Sequence, residues 1–499
     1  MPLIYGSGDP QRSSEISRNV KAGKLRKLAT KLYTDDLRTE PAEIIRRHRL
    51  EIAAHFYPGA VISHRSALEG TLSPLGKLHI SLPQKVAPVR RLPGLEIRIW
   101  EGPEAQVNDV RTTSQEDGSC LYMANQTRAV LENFQIARAR ANDEPKILSK
   151  EALEQWFDHQ LRVLGTGGEN WLNDLIESAR KLSQEFGWKR EFETLEEFTR
   201  ALKGKPSVYG LNTELARARA AGKPYDPERV QLFNELKAAL ATETFNEQAS
   251  PPVIERENRA FWESYFSNYI EGTKFSVEEA KEIVNETDTA KALERDRPKD
   301  AHDILETYRL IVDNKISGKI AINAQKYVEL IKIRHARMMA SRADVNPGEF
   351  KERNNEVGSR VFVRPELVSE TLTRGWQSAR DLQSTTARAF FMLFVVAEVH
   401  PFTDGNGRIS RLGMNATLEA AGLTRLILPT SFRNDYLTVL EALTSNGNAK
   451  PYCKFAHKLI DLNSRIPFAS FEQSYDYFQQ TGALDEPNNS NLNLQNLIQ

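Results

Sequence analysis

Within twelve residues, His400-Pro401-Phe402-Thr403-Asp404-Gly405-Asn406-Gly407-Arg408-Ile409-Ser410-Arg411, the chain gathers a proton acceptor, a carboxylate, two glycines and two guanidinium groups. Near neutral pH an imidazole can take the proton of an attacking hydroxyl, which makes His400 a candidate general base. Gly405 and Gly407 allow backbone angles and close approaches that a side chain forbids. The N–H groups of Gly405, Asn406 and Gly407 can therefore face one concavity and hold phosphate oxygens. Arg408 and Arg411 are three apart, on one face of a helix that carries them, and suit the outer phosphates of a nucleoside triphosphate. Asp404 adds a hard oxygen donor for a magnesium ion (Mg2+) bridging those phosphates. A histidine beside a proline is by itself more often a packed or capping residue, but packing does not account for the rest of the set.

Two helices must hold this loop. Residues 387–399 read as a buried helix that stops at His400, because Pro401 lacks the N–H of the ladder and disfavours helical geometry in the residue before it. Residues 408–421 have helical composition and end at Gly422. The loop then sits at the mouth of the second helix, where the macrodipole is positive.

Upstream, Trp262, Tyr265, Phe266 and Tyr269 form a helical stripe that ends at Gly272, and Ser276 with Glu279 has the spacing of a capping box that opens the next helix. Ser267 and Glu271 lie one turn apart near the end of the first helix, where the dipole disfavours a carboxylate. A solvated glutamate is the commoner reading of such a position, but something should compensate for it. Residues 346–365 are turn-rich, and Val357-Gly358-Ser359-Arg360-Val361-Phe362-Val363 has the pattern of a short hairpin. Tyr436 falls on a later helix, as a core aromatic or as a wall of the site.

The twelve residues match the Fic motif, His-Pro-Phe-x-Asp-Gly-Asn-Gly-Arg-x-x-Arg, at every specified position, and about 220 residues around them resemble a Fic domain. The resemblance implies AMP transfer from ATP to a Ser, Thr or Tyr hydroxyl of a target protein. His400 would be the base, Asp404 the magnesium ligand, Gly405 to Gly407 the anion nest, and Arg408 and Arg411 the phosphate ligands. Ser267-Asn268-Tyr269-Ile270-Glu271-Gly272 is similar to the Fic inhibitory motif of the class whose inhibitory helix precedes the catalytic one. That implies a Glu271–Arg411 pair that blocks productive ATP binding. The hairpin at Val357, Gly358, Ser359 and Arg360 corresponds to the flap that aligns the target segment, and Tyr436 to a residue near adenine. The resemblance also suggests an alternative, removal of AMP with Glu271 positioning water; a second alternative, from a different class, is a DNA-binding regulator in which an N-terminal wing binds DNA and the Fic domain senses nucleotide.

Acids and bases cancel, 67 against 67, so no global field selects a nucleic acid or a membrane. Locally, Arg18, Lys21, Lys24, Arg26, Lys27 and Lys31 are uninterrupted by acids between Ile16 and Thr34. A helical stretch, a turn at Ala22-Gly23 and an alternating run follow one another there. This order, with Pro58-Gly59-Ala60-Val61-Ile62-Ser63-His64-Arg65-Ser66-Ala67-Leu68, resembles the winged helix-turn-helix of AbiEi-type antitoxins, which implies DNA as a partner or else a protein-docking face. Cys120 and Cys453 are too few for a disulfide framework, read as buried thiols, and fit a reducing, cytoplasmic address. The longest apolar stretch, residues 389–397, is far short of the ~20 needed to span a bilayer. The expected fold is mainly α: an all-helical Fic core with a short β-hairpin flap, preceded by a small winged helix-turn-helix (α+β) domain and a helical middle region. Expected bounds are 1–100, 101–250 (spacer, docking platform or homo-oligomer contact), 251–475, and a polar tail at 476–499.

Overall fold

The computed structural model describes residues 3–6, 8–84, 89–114, 119–137, 143–286, 297–313, 316, 318–357 and 360–486. Gly358 and Ser359 of the expected flap, and residues 487–499, lie outside them. The chain divides into two compact units, Met1–Ala221 and Gly222–Gln499. Among the described residues no helix is long and apolar enough to cross a membrane.

The first unit opens with β1 (Leu3–Tyr5), α1 (Pro10–Lys21), β2 (Arg26–Ala29) and β3 (Leu32–Thr34). Asp9 caps α1 by accepting from Gln11, and Gly23 at φ +69° turns the chain into the β2–β3 hairpin. β3 lies between β1 and β2, antiparallel to both. The helix, turn and alternating run expected from the sequence are all there, with the short strand β1 before α1. Next come α2 (Pro41–Arg47), α3 (Arg49–Phe56), β4 (Val61–Ile62), α4 (His64–Glu69), β5 (Lys77–Leu82), β6 (Val89–Leu92), β7 (Leu95–Glu101), β8 (Val110–Ser114), β9 (Cys120–Met123) and α5 (Gln126–Asn133). Their sheet has the order β6-β7-β5-β4-β9-β8, with β5 parallel to β7 and β4 parallel to β9. It runs through residue 100, where the sequence suggested a boundary, because β9 pairs with β4 and so ties residues 110–123 to the earlier strands. Four helices complete the unit: α6 (Lys150–Leu164), α7 (Gly168–Phe186), α8 (Lys189–Leu202) and α9 (Glu214–Ala220), packed around Phe157, Phe198 and Leu195.

The second unit is helical: α10 (Pro227–Leu240), α11 (Val253–Ile270), α12 (Val277–Asn285), α13 (Pro298–Val312), α14 (Ala324–Met338), the hairpin β10 (Glu356–Val357) and β11 (Arg360–Val361), α15 (Val368–Ala379), α16 (Thr385–Val399), α17 (Asn406–Ala420), α18 (Arg433–Asn446), α19 (Lys450–Arg465) and α20 (Phe471–Gln480). Two expected bounds move. The break placed near 250 falls instead before α10, because Phe233, Leu236 and Leu240 are buried in this unit's core. The tail placed at 476 begins later, since Phe478 is fully buried against Trp262 and Phe266, and Glu486 bonds Tyr269 and Lys274. At the centre, α16 buries nearly every residue from Thr386 to Val399, as an all-round apolar helix must. Cys453 is buried, while Cys120, at the start of β9, is only half-buried; both are free thiols.

Candidate active site

α16 ends on His400 in the left-handed region, φ +51° and ψ +60°. A non-glycine residue there costs about 1–2 kcal/mol, and Pro401 removes the right-handed alternative. The imidazole stacks on Phe362, just past β11, with centroids 4.0 Å apart and planes at 17°. Burial pushes its pKa down to about 4; the charge of Lys351 acts the same way, while the Ala397 backbone and the Glu271 carboxylate oppose. At neutral pH His400 is an uncharged proton acceptor.

The loop after it is built by three devices. Gly405 stands at φ +77°, and a Cβ there would press on Met339 Sδ at 3.1 Å. Asn406, whose backbone N–H belongs to the expected anion nest, turns its side chain inward: Phe402 N–H donates to its Oδ1 and its Nδ2 donates to Phe402 O, each at 2.8 Å. Only its backbone N–H stays with the group that a first helical turn leaves without intrahelical partners. His335 of α14 is the third device, and nothing in its local sequence distinguishes it from an ordinary core histidine. Gly348 N–H donates to its Nδ1 at 2.9 Å, which leaves the ring proton on Nε2 to donate to Asp404 O at 3.1 Å. Its ring lies flat on Phe402, centroids 3.8 Å apart. Burial holds this imidazole neutral as well, its pKa down to about 4.

Both arginines on α17 meet α11, as their three-residue spacing requires, yet each is engaged by protein acceptors. Arg408 donates from Nη1 to Asp303 Oδ2 at 2.6 Å and to Asn268 Oδ1 at 3.3 Å, and its Nη2 lies 3.4 Å from Asp404 Oδ2. Arg411 donates from Nε to Ser267 Oγ at 3.0 Å and from Nη2 to Ser267 O at 2.9 Å and Glu271 Oε1 at 2.7 Å. The Glu271–Arg411 pair is thus present. It is one-ended and not a bidentate fork, because Ser267, one turn earlier, takes the neighbouring N–H. A Cβ on Gly407 would overlap Glu271 Oε1, so this glycine is what lets the carboxylate reach the loop.

Asp404 keeps 47% of its side chain exposed, and its Oδ1 accepts from Gly405 N–H at 2.7 Å. Among the described residues no group of three or more His, Cys, Asp or Glu could hold a metal. The half-exposed carboxylate of Asp404 is a hard oxygen donor of the kind magnesium takes. β10 and β11 pair through Glu356–Val361 and Val357–Arg360. Arg360 of the hairpin is anchored to Glu398 and donates to Thr444 Oγ1 at 3.0 Å. Tyr436 is 3% exposed and packs on Phe455, and burial raises its hydroxyl to about 12. A cavity of about 600 Å3 elsewhere in this unit, between Tyr327, Trp376, Met392 and Gly413, contains neither His400 nor Arg411.

Comparison with known proteins falls on the same region. Residues 326–418 match the Fic/DOC family. "Protein adenylyltransferase Fic" of Drosophila persimilis is 26% identical over 247 residues, 48% of this chain and 47% of that one. Its namesake in Culex quinquefasciatus is 28% identical over 198 residues, 38% of each chain. The chain thus spans about half the length, or less, of these relatives. The crystal structure of a Fic domain containing signaling protein from Bacteroides thetaiotaomicron is 20% identical, covering 53% of this chain and 98% of that one at a TM-score of 0.32. At residues 326–418, which carry the His400 loop and both arginines, the chain is similar to the Fic/DOC family.

Proposed function

We propose that this chain is a protein adenylyltransferase that moves AMP from ATP to a Ser, Thr or Tyr hydroxyl of a target protein and is restrained by Glu271. The observation that carries the reading is the pairing of a half-buried, neutral His400 with a glycine loop whose Arg411 is held by Glu271 at 2.7 Å. Relatives named protein adenylyltransferase support it. His400 takes the hydroxyl proton, the hydroxyl oxygen bonds to the α-phosphorus, and the bond to the bridging oxygen breaks to release pyrophosphate. The N–H groups of Gly405, Asn406 and Gly407, with Arg408 and Arg411, face the phosphates. Bound through Asp404, magnesium would supply charge neutralisation on the phosphates. The β10–β11 hairpin aligns the target segment by strand addition, and Tyr436 closes the adenine side.

With Glu271 on Arg411, the γ-phosphate loses its ligand and ATP cannot settle productively. Glu271→Gly is expected to raise automodification by labelled ATP at least tenfold, about 1.4 kcal/mol. Unchanged labelling would remove Glu271 from the mechanism. His400→Ala abolishes transfer while nucleotide binding survives; turnover equal to the parent's would mean that another group is the base.

A second reading has its own observation. Glu271 is 28% exposed and abuts Gly407, where a modified hydroxyl's phosphate would lie, so the carboxylate can position water to remove AMP. Incubating a pre-modified target with and without Glu271 separates the two directions. A DNA-binding role for the first unit draws support from the exposure of Arg18, Lys21, Lys24, Lys27 and Lys31 on α1 and the β2–β3 hairpin. The cytoplasmic address and a homo-oligomer belong to the same proposal.

A further inference from the structure

A cluster of charges stands beside His400 on the flap side, and the chemistry above leaves one member of it without a task. Lys351, in the segment leading to β10, is 3% exposed. Its backbone N–H donates to Pro401 O at 2.9 Å, so main chain alone ties it to the residue after the base. Its Nζ is buried and has no hydrogen-bond partner among the described residues. It lies 5.8 Å from the centroid of Phe362, the ring on which His400 stacks at 4.0 Å. An ammonium in such a place is costly, and a group kept there against that cost is a candidate for function.

The surroundings make the local charge positive. Arg360 stands over the same Phe362 ring at 4.9 Å and is paired to Glu398. Arg229 of α10 forms an ion pair with the other oxygen of Glu398, its Nε 2.7 Å away. From α11, Glu271 faces His400 with the opposite sign, its carboxylate already engaged by Arg411. On the flap side Lys351, Arg360 and Arg229 are therefore answered by the single buried carboxylate of Glu398.

We propose that Lys351 is a positioning residue whose buried charge keeps the His400 imidazole unprotonated, and so ready to accept the hydroxyl proton, through neutral and mildly acid pH. The inference rests on the role given to His400 above. A like charge at this range disfavours the imidazolium. Burial, with Arg229 adding to it, brings the Lys351 ammonium down to about 7. Lys351 is then charged below pH 7, the range in which an ordinary histidine would protonate, and loses its charge where His400 no longer needs it.

The test uses the full chain labelled with 13C at the histidine Cε1 positions, the His400 signal being identified by its loss in His400→Gln. Lys351→Met keeps the stem and removes the charge; Lys351→Arg keeps the charge; Lys351→Gln replaces the methionine variant should that one not fold. The expected result is a His400 midpoint raised by about one pH unit in Lys351→Met and unmoved in Lys351→Arg. The acid limb of automodification, measured in the Glu271→Gly background, should rise by the same amount. An unmoved His400 midpoint in Lys351→Met, or an equal rise in both variants, overturns the proposal. A moved midpoint with an unmoved acid limb leaves the electrostatic coupling standing and overturns the assignment of His400 as base.

Discussion

Arg408 and Arg411 leave the same helix three residues apart and meet carboxylates of opposite character. Asp303, which takes Arg408 at 2.6 Å, is fully buried and also accepts from Arg342 Nε at 2.8 Å, while Arg342 reaches Asp300 at 2.7 Å. Glu271, which takes Arg411, keeps 28% of its side chain exposed and accepts one N–H from it. Removing one partner from a buried network strands a charge, whereas an exposed carboxylate can leave its arginine for water. Arg411 would still hold Ser267 Oγ and O. The two arginines, equivalent by spacing, thus divide into one held by a buried carboxylate and one whose carboxylate is exposed enough to leave, as the proposed release of Arg411 to a phosphate requires.

The division breaks first on stability. Asp303→Ala uncovers two arginines at once and is expected to cost about 3–5 kcal/mol, a large part of what holds an ordinary domain together. Glu271→Ala should cost less than about 1 kcal/mol. Denaturant midpoints of the two variants, at unchanged slope, measure both. Similar losses would mean that the Glu271–Arg411 pair is structural too and does not work as a releasable contact.

Much of this was legible in the chain, for reasons that differ by residue. Pro401 and Gly422 gave away the ends of α16 and α17, because a missing N–H and a left-handed turn are local properties. The capping box at Ser276 and Glu279 is likewise present as spaced. Glu271 drew attention by sitting where the helix dipole opposes it, and its partner is the expected Arg411. What remained hidden depends on residues brought from far along the chain. Asp303, His335 and Lys351 carry no local signal, and their meaning arises only where α13, α14 and the flap segment close on the loop. The inward staple of the Asn406 side chain was not legible, because an amide in a glycine loop serves equally as phosphate ligand or as staple, and only the 2.8 Å contacts to Phe402 decide. The unit boundary near 221 was missed because α10 has the composition of the helices before it and is assigned by its core contacts alone.

The releasable side of the comparison sharpens at Gly407. With alanine there, the new methyl occupies the position of Glu271 Oε1 and the carboxylate has to withdraw. The informative quantity is the ratio of automodification between the Glu271→Gly protein and its parent. It should fall from tenfold or more, about 1.4 kcal/mol, to near one when Gly407→Ala is present in both. Using the ratio removes any direct effect of the methyl on phosphate binding. A ratio that stays at tenfold would show that Glu271 restrains the site without approaching the loop.

The smallest effect belongs to Ser267. Its hydroxyl accepts from Arg411 Nε at 3.0 Å, while its carbonyl and Glu271 take the other donors. Ser267→Ala removes one of three acceptors and leaves the helix and the carboxylate in place. With two other acceptors left to the guanidinium, the lost hydroxyl contact counts as an ordinary hydrogen bond of about 1 kcal/mol net, so automodification should rise about fivefold, less than for Glu271→Gly. No rise would mean that the carboxylate and the backbone carbonyl hold the guanidinium by themselves, and a rise as large as that of Glu271→Gly would make the serine, rather than the glutamate, the element that keeps Arg411 from phosphate.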